Sequence, residues 1–127
     1  MRVWYAVLAL VNLIAGGFLV TSTYGFDSST AVNIGFGISI AVCLLGLGMA
    51  YFGFERSTND GERISLGVLG VLTAALAAWT VIATQVFDAE TARWLVFGSG
   101  CGHIALAVAG IITQEATLPA APRGRKR

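Results

Sequence analysis

The sequence predicts an all-α integral membrane fold: a four-helix bundle made of two parallel tandem helical-hairpin repeats. Two observations carry this. First, the 127 residues are 56% hydrophobic and only 12% charged, where a soluble domain carries about 25% charge. The charges are also segregated: residues 3–26, 31–54, 64–87 and 94–114 contain none. Each stretch reaches the roughly 20 apolar residues that cross a bilayer core. Second, the chain repeats itself at an offset of 61 positions, with twelve identities between residues 2–54 and 63–115. Phe26-Asp27-x-x-Thr30-Ala31 falls on Phe87-Asp88-x-x-Thr91-Ala92, and Phe36-Gly37 falls on Phe97-Gly98. A repeat fixes topology and predicts a pseudo-symmetric bundle.

The elements follow in order. Helix 1 is expected over 3–23, then a turn from Gly25 to Ser29 in which Asp27 or Ser29 caps helix 2. Helix 2 is expected over 31–54, helix 3 over 64–86, and helix 4 from Asp88, Glu90 or Thr91 to about Thr113. The four-helix domain occupies 1–117, with repeat one at 1–54, a polar loop at 55–63 and repeat two at 62–115. The tail 118–127 has two prolines and a basic end, and is expected to be disordered. A signal peptide is the alternative for residues 1–24. The apolar run is long for one, and Thr21-Ser22-Thr23-Tyr24 offers no small-x-small cleavage pattern.

Orientation is read from Lys and Arg. With both termini cytoplasmic, Arg2, Arg56, Arg63, Arg123, Arg125, Lys126 and Arg127 lie inside, and Arg93 alone lies outside. The two hairpins then share one orientation, related by an axis along the membrane normal. The expected location is the cell (inner) membrane. The expected surroundings are the lipid bilayer, with anionic lipid headgroups at Arg123, Arg125, Lys126 and Arg127, and no nucleic acid.

Packing in lipid needs small residues that let helices approach closely. Gly35, Ser39, Cys43, Gly98 and Gly102 recur at helical spacing and are assigned to helix packing, within the chain or between copies. Trp4, Tyr5, Tyr24, Tyr51, Phe54 and Trp94 stand near helix ends and are assigned to the interfacial aromatic belt. Cys43 and Cys101 form no C-x-x-C pair and read as small apolar fillers.

Few residues carry chemistry. The repeat pairs Asn12 with Thr73, and Val42-Cys43 with His103-Ile104, all near the centres of their helices. Asn12, Thr73 and His103 are therefore the midplane polar candidates. An ionisable residue in a membrane is a candidate functional site: His103 contacts a proton or ligand, or is a neutral imidazole hydrogen-bonded to Asn12, Thr73 or backbone. One histidine without a carboxylate partner makes a poor relay. Haem ligation needs a second ligand, and only Met49 or another copy's imidazole offers one. Asn12 reads as a residue that specifies helix association. Asp27 and Asp88 read as helix caps, with a rim cation site as the alternative. No metal-ligand cluster, nucleophile–base pair or phosphate loop is visible, so no catalytic residue, metal site or cofactor is expected.

Phe18-Leu19-Val20-Thr21-Ser22-Thr23-Tyr24-Gly25-Phe26, leading into Ala31-Val32-Asn33-Ile34-Gly35, resembles the SPW-repeat family of small membrane proteins. That family carries Trp-Leu-x-x-Ser-Pro-Trp near the outer end of the first helix of each two-helix repeat. Trp79 stands at the place of the family's first Trp, and Phe18 does so in repeat one. Ser22-Thr23-Tyr24 replaces Ser-Pro-Trp, and the second copy reads Ala83-Thr84-Gln85. The resemblance implies the doubled hairpin and membrane location, and brings no activity with it. The resulting expectation is a non-enzymatic structural or accessory membrane protein, packing as a homo-oligomer or with other membrane subunits. The alternative is a small transporter or channel with a midplane site around His103.

Overall fold

A computed structural model describes residues 2–56 and 60–117 as four α-helices: α1 (Arg2–Gly25), α2 (Ser28–Arg56), α3 (Asp60–Val86) and α4 (Ala89–Thr117). Each contains a segment long and apolar enough to cross a membrane: Val3–Gly25, Ser28–Glu55, Arg63–Val86 and Ala89–Thr113. The chain is thus a multi-pass membrane protein by length and composition. The basic tail, with Arg123, Arg125, Lys126 and Arg127, lies outside the described residues.

The helices run longer than their uncharged stretches. The 55–63 loop contracts, because Glu55 and Arg56 continue α2 and Asp60–Arg63 form the first turn of α3. Polar residues leave the bilayer without leaving the helix, so hydropathy marks the span and not the helix end. The other connections are also tighter than the Gly25–Ser29 expectation. Each is the same dipeptide, Phe26-Asp27 and Phe87-Asp88. Ala31 donates to the Asp27 carbonyl at 2.9 Å and Ala92 to that of Asp88 at 2.8 Å. The Asp88 carboxylate also accepts from the Thr91 amide at 3.3 Å, the geometry of an N-cap. Ser29 lies inside α2. The repeated Phe-Asp-x-x-Thr-Ala motif is therefore the turn itself, written twice.

We call the end holding these two turns the turn end, and the opposite end the loop end. The closest packing is between hairpins: α2 lies most extensively on α3, and α1 on α4. These two interfaces are equivalent under the repeat, and both rest on glycine. A Cβ on Gly16 of α1 would meet the Gly100 carbonyl of α4 at 2.6 Å. A Cβ on Gly46 of α2 would meet the Gly70 carbonyl of α3 at 2.9 Å. The glycine pairs sit at different levels. Gly16 and Gly100 correspond to Ala77 and Ser39, and Gly46 and Gly70 to Ala107 and Ala9. All four of these counterparts are buried.

Positions related by the repeat also face each other across the bundle. A Cβ on Gly35 would meet the Val96 side chain at 2.8 Å. Tyr5 and Leu66, another matched pair, share one buried cluster with Leu8, Met49 and Leu69 near the loop end. Tyr5 is thus core, a correction to its place in the aromatic belt, and only 1% of it is exposed. It lies on the face shared with Leu8 and Asn12, which α1 turns inward. Tyr24, Tyr51, Phe54 and Trp94 are exposed as a belt requires. Outward, the surface is leucine, isoleucine, valine and aromatic; inward, it includes Asn12, Ser39, Thr73, Thr80, Ser99 and His103. An interior more polar than the surface suits a chain solvated by lipid.

Candidate functional site

Three helices bring the midplane polar residues together. Asn12 of α1, Thr73 of α3 and His103 of α4 are buried, none more than 1% exposed. The Asn12 amide donates to the Thr73 hydroxyl at 3.0 Å and to the Leu8 carbonyl at 3.1 Å. The Thr73 hydroxyl donates in turn to the Leu69 carbonyl at 2.8 Å. The Asn12 amide oxygen lies 2.7 Å from His103 Nδ1.

These bonds fix every proton in the chain of groups. A backbone carbonyl only accepts, so the nitrogen of the Asn12 amide must face Leu8. Both its hydrogens are then used, and its oxygen accepts. His103 Nδ1 therefore carries the hydrogen, and in the neutral ring Nε2 is a bare acceptor. Nε2 is buried and has no hydrogen-bond partner among the described residues. The Ser39 hydroxyl on α2 and the Tyr5 hydroxyl on α1 share that condition.

Asn12 and Thr73 are 61 residues apart, the repeat offset itself. α1 and α3 make the least contact of any helix pair, and the Asn12–Thr73 bond ties them at this level. Asn12 and His103 join α1 to α4. The equivalent positions in α2 and α3 are Val42 and Thr73, and Val42 packs with Ala15 and Ala77. One of the two equivalent interfaces therefore carries an interhelical polar bond where the other carries apolar packing. Cys43, placed by sequence at the same level, is turned away from the polar chain and lies half-buried against that apolar cluster. Level along a helix was readable for Cys43; rotation about its axis was not.

Toward the turn end lies a second polar tie, from the Thr80 hydroxyl to Ser99 Oγ. Beyond it, Arg93 donates from Nε and Nη2 to the Thr23 carbonyl at 2.9 and 2.6 Å. The only basic residue expected outside thus closes the carbonyl end of α1. Arg93 also pairs with Glu90 at 3.7 Å and lies over the Trp94 ring. Asp88, outside the spans, has its carboxyl held below the ordinary value by the hydrogen bonds from Thr91.

The packing residues divide. Gly35 meets Val96, Gly102 meets Leu76 of α3, and Ser39 is fully buried. Gly98 meets no other helix within the chain, since a Cβ there meets nothing within 4 Å, which leaves it to packing between copies. The inward face of α4 runs through Val96, Ser99, Gly100, His103 and Ala107, and Gly98 lies off that stripe. Within the chain, the close approach to α1 comes from Gly100. Gly16, Gly100, Thr80, Ser99 and the Arg93 cap were not singled out from sequence. The available signal for Gly16, Ser99 and Gly100 was their spacing of three or four residues from Asn12 and His103; Thr80 stands two turns from Thr73.

The comparisons with known proteins return nothing: no family model, curated protein or solved structure matches the chain.

Proposed function

We propose that this chain is a small integral membrane protein of structural or accessory type, packing with itself or with a larger membrane complex. In this reading two parallel tandem hairpins are related by a pseudo-twofold axis along the membrane normal, and Asn12 and Thr73 meet on it. The protein lies in the cell (inner) membrane with both termini cytoplasmic, as the placement of seven of its eight basic residues supports. Its basic tail touches anionic headgroups. Kinship with the SPW-repeat proteins belongs to the same proposal and rests on the doubled hairpin and Trp79.

The observation that carries the role is the closed polar chain. Asn12 and Thr73 satisfy one another and their own backbones, and Asn12 holds His103. Groups turned on each other lock helices, whereas a solute path needs them turned on a cavity. The grooves of the molecule lie instead on its apolar outer faces. In this reading the role is non-enzymatic.

Native mass spectrometry of gently extracted protein tests this. A homo-oligomer or a complex with other membrane subunits is expected. A lone chain that retains a small solute would overturn it. One observation favours a transporter or channel as the second reading: the bare, buried Nε2 of His103. For that reading, His103→Ala abolishes solute flux in proteoliposomes and leaves assembly intact. For the structural reading, the same substitution weakens assembly.

A further inference from the structure

Each interface between hairpins carries an apolar groove on its lipid side, and the two grooves are equivalent under the repeat. The α2–α3 groove has a volume of about 490 Å³ and is lined by Ala50, Tyr51, Phe54, Gly67 and Val71, among others. The α1–α4 groove is smaller, about 320 Å³. Its Ala6, Leu10 and Ile111 are the counterparts of Gly67, Val71 and Ala50. Gly67 leaves the first groove open, since a Cβ there meets nothing within 4 Å.

The mouth of the α2–α3 groove is charged. One turn before Gly67, the Arg63 guanidinium lies 5.3 Å from the centre of the Phe54 ring. Arg63 is also 3.8 Å from Asp60, whose carboxylate is 91% exposed. A cation and an anion thus stand side by side at the loop end, where the groove meets the polar region.

We propose that the α2–α3 groove binds one zwitterionic phospholipid with a primary-amine headgroup. One acyl chain lies along Gly67 and Ala50. The phosphate meets Arg63, whose planar fork suits phosphate oxygens. The ammonium meets Asp60, and its N–H groups donate to the carboxylate. A choline head has no such donor. A purely anionic head offers nothing to the Asp60 carboxylate and is repelled by it. Ala6 and Ile111, in place of Gly67 and Ala50, narrow the second groove and set the number at one lipid per chain.

The test is native mass spectrometry of the protein released from nanodiscs of equal phosphatidylethanolamine, phosphatidylcholine and phosphatidylglycerol. One retained phosphatidylethanolamine per chain is expected. Gly67→Leu fills the groove without meeting another helix, and should lower retention about tenfold, as should Arg63→Gln. Ala6→Leu, in the equivalent groove, should leave retention unchanged. No enrichment of phosphatidylethanolamine, or undiminished retention in Gly67→Leu with the helix content preserved, would overturn the proposal. The site rests on the membrane reading and not on the scaffold role. Co-purifying subunits without enriched lipid would remove the site alone. A protein that stays out of the nanodisc altogether would remove the membrane reading with it.

Discussion

The α1–α4 and α2–α3 interfaces are built to one plan and differ in what they hold at their centre. Both bring two helices to backbone contact through a glycine pair, Gly16 with Gly100 and Gly46 with Gly70. At the level of the midplane the first interface holds Asn12 against His103. The second holds Thr73 and Val42, the counterparts of those residues. Duplication supplied the geometry twice, and divergence put the polar bond in one of the two interfaces. Close packing is therefore the shared property of the two interfaces, and the Asn12–His103 bond is what sets them apart at the midplane level.

The largest effects should come from the shared part. Gly16→Leu and Gly46→Leu drive a side chain into the backbone of the facing helix, at a cost of about 3 kcal/mol or more. Gly48→Leu is the control: a Cβ there meets nothing within 4 Å, and the change should stay within about 0.5 kcal/mol. Thermal unfolding in detergent measures all three. Equal losses across the set would mean that helix propensity, and not close approach, sets stability.

The unshared part is worth less. Asn12→Leu leaves the His103 Nδ1–H without an acceptor and opens the α1–α3 tie, for about 1 to 2 kcal/mol. Thr73→Val should cost less, because Asn12 keeps its bond to the Leu8 carbonyl. If Thr73→Val proved the worse of the two, Asn12 would not be the hub.

How much of this was legible depended on the kind of signal. The four spans, the duplicated hairpin, and the grouping of Asn12, Thr73 and His103 by level all followed from hydropathy and the offset. Rotation about each helix axis did not follow. An apolar run solvated by lipid is apolar on every side, so it lacks the one-sided pattern that orients a soluble helix. That is why Cys43 reads from sequence as level with the polar chain, why Gly100 does not stand out from Gly98, and why Tyr5 reads as a belt residue. The Thr80–Ser99 tie was hidden for the same reason. Helix ends were short by a turn at the loop end because charged residues there continue the helix.

Smaller effects concern the turn end. Arg93→Gln removes a charged donor from the Thr23 carbonyl and should destabilise by about 1 kcal/mol, with faster hydrogen exchange confined to the end of α1. Uniform acceleration along α1 would instead mean that Arg93 supports the whole bundle. Smallest of all is Asp88. Its carboxyl is held below the ordinary value of 3.8 by the Thr91 hydrogen bonds. The cap is therefore complete above that value and is lost as pH falls through the lower folded value. Exchange at the first turn of α4 should quicken only in that acid range. Asp88→Asn should flatten the dependence.

A double-mutant cycle between Asn12 and His103, each changed to Leu and read by reversible unfolding in detergent, tests the polar tie most directly. A coupling of about 1 kcal/mol, with both single variants weakened in assembly, is the expected result. Zero coupling, with His103→Leu as stable and as fully assembled as the parent, would contradict it and return His103 to the role of a ligand or proton site.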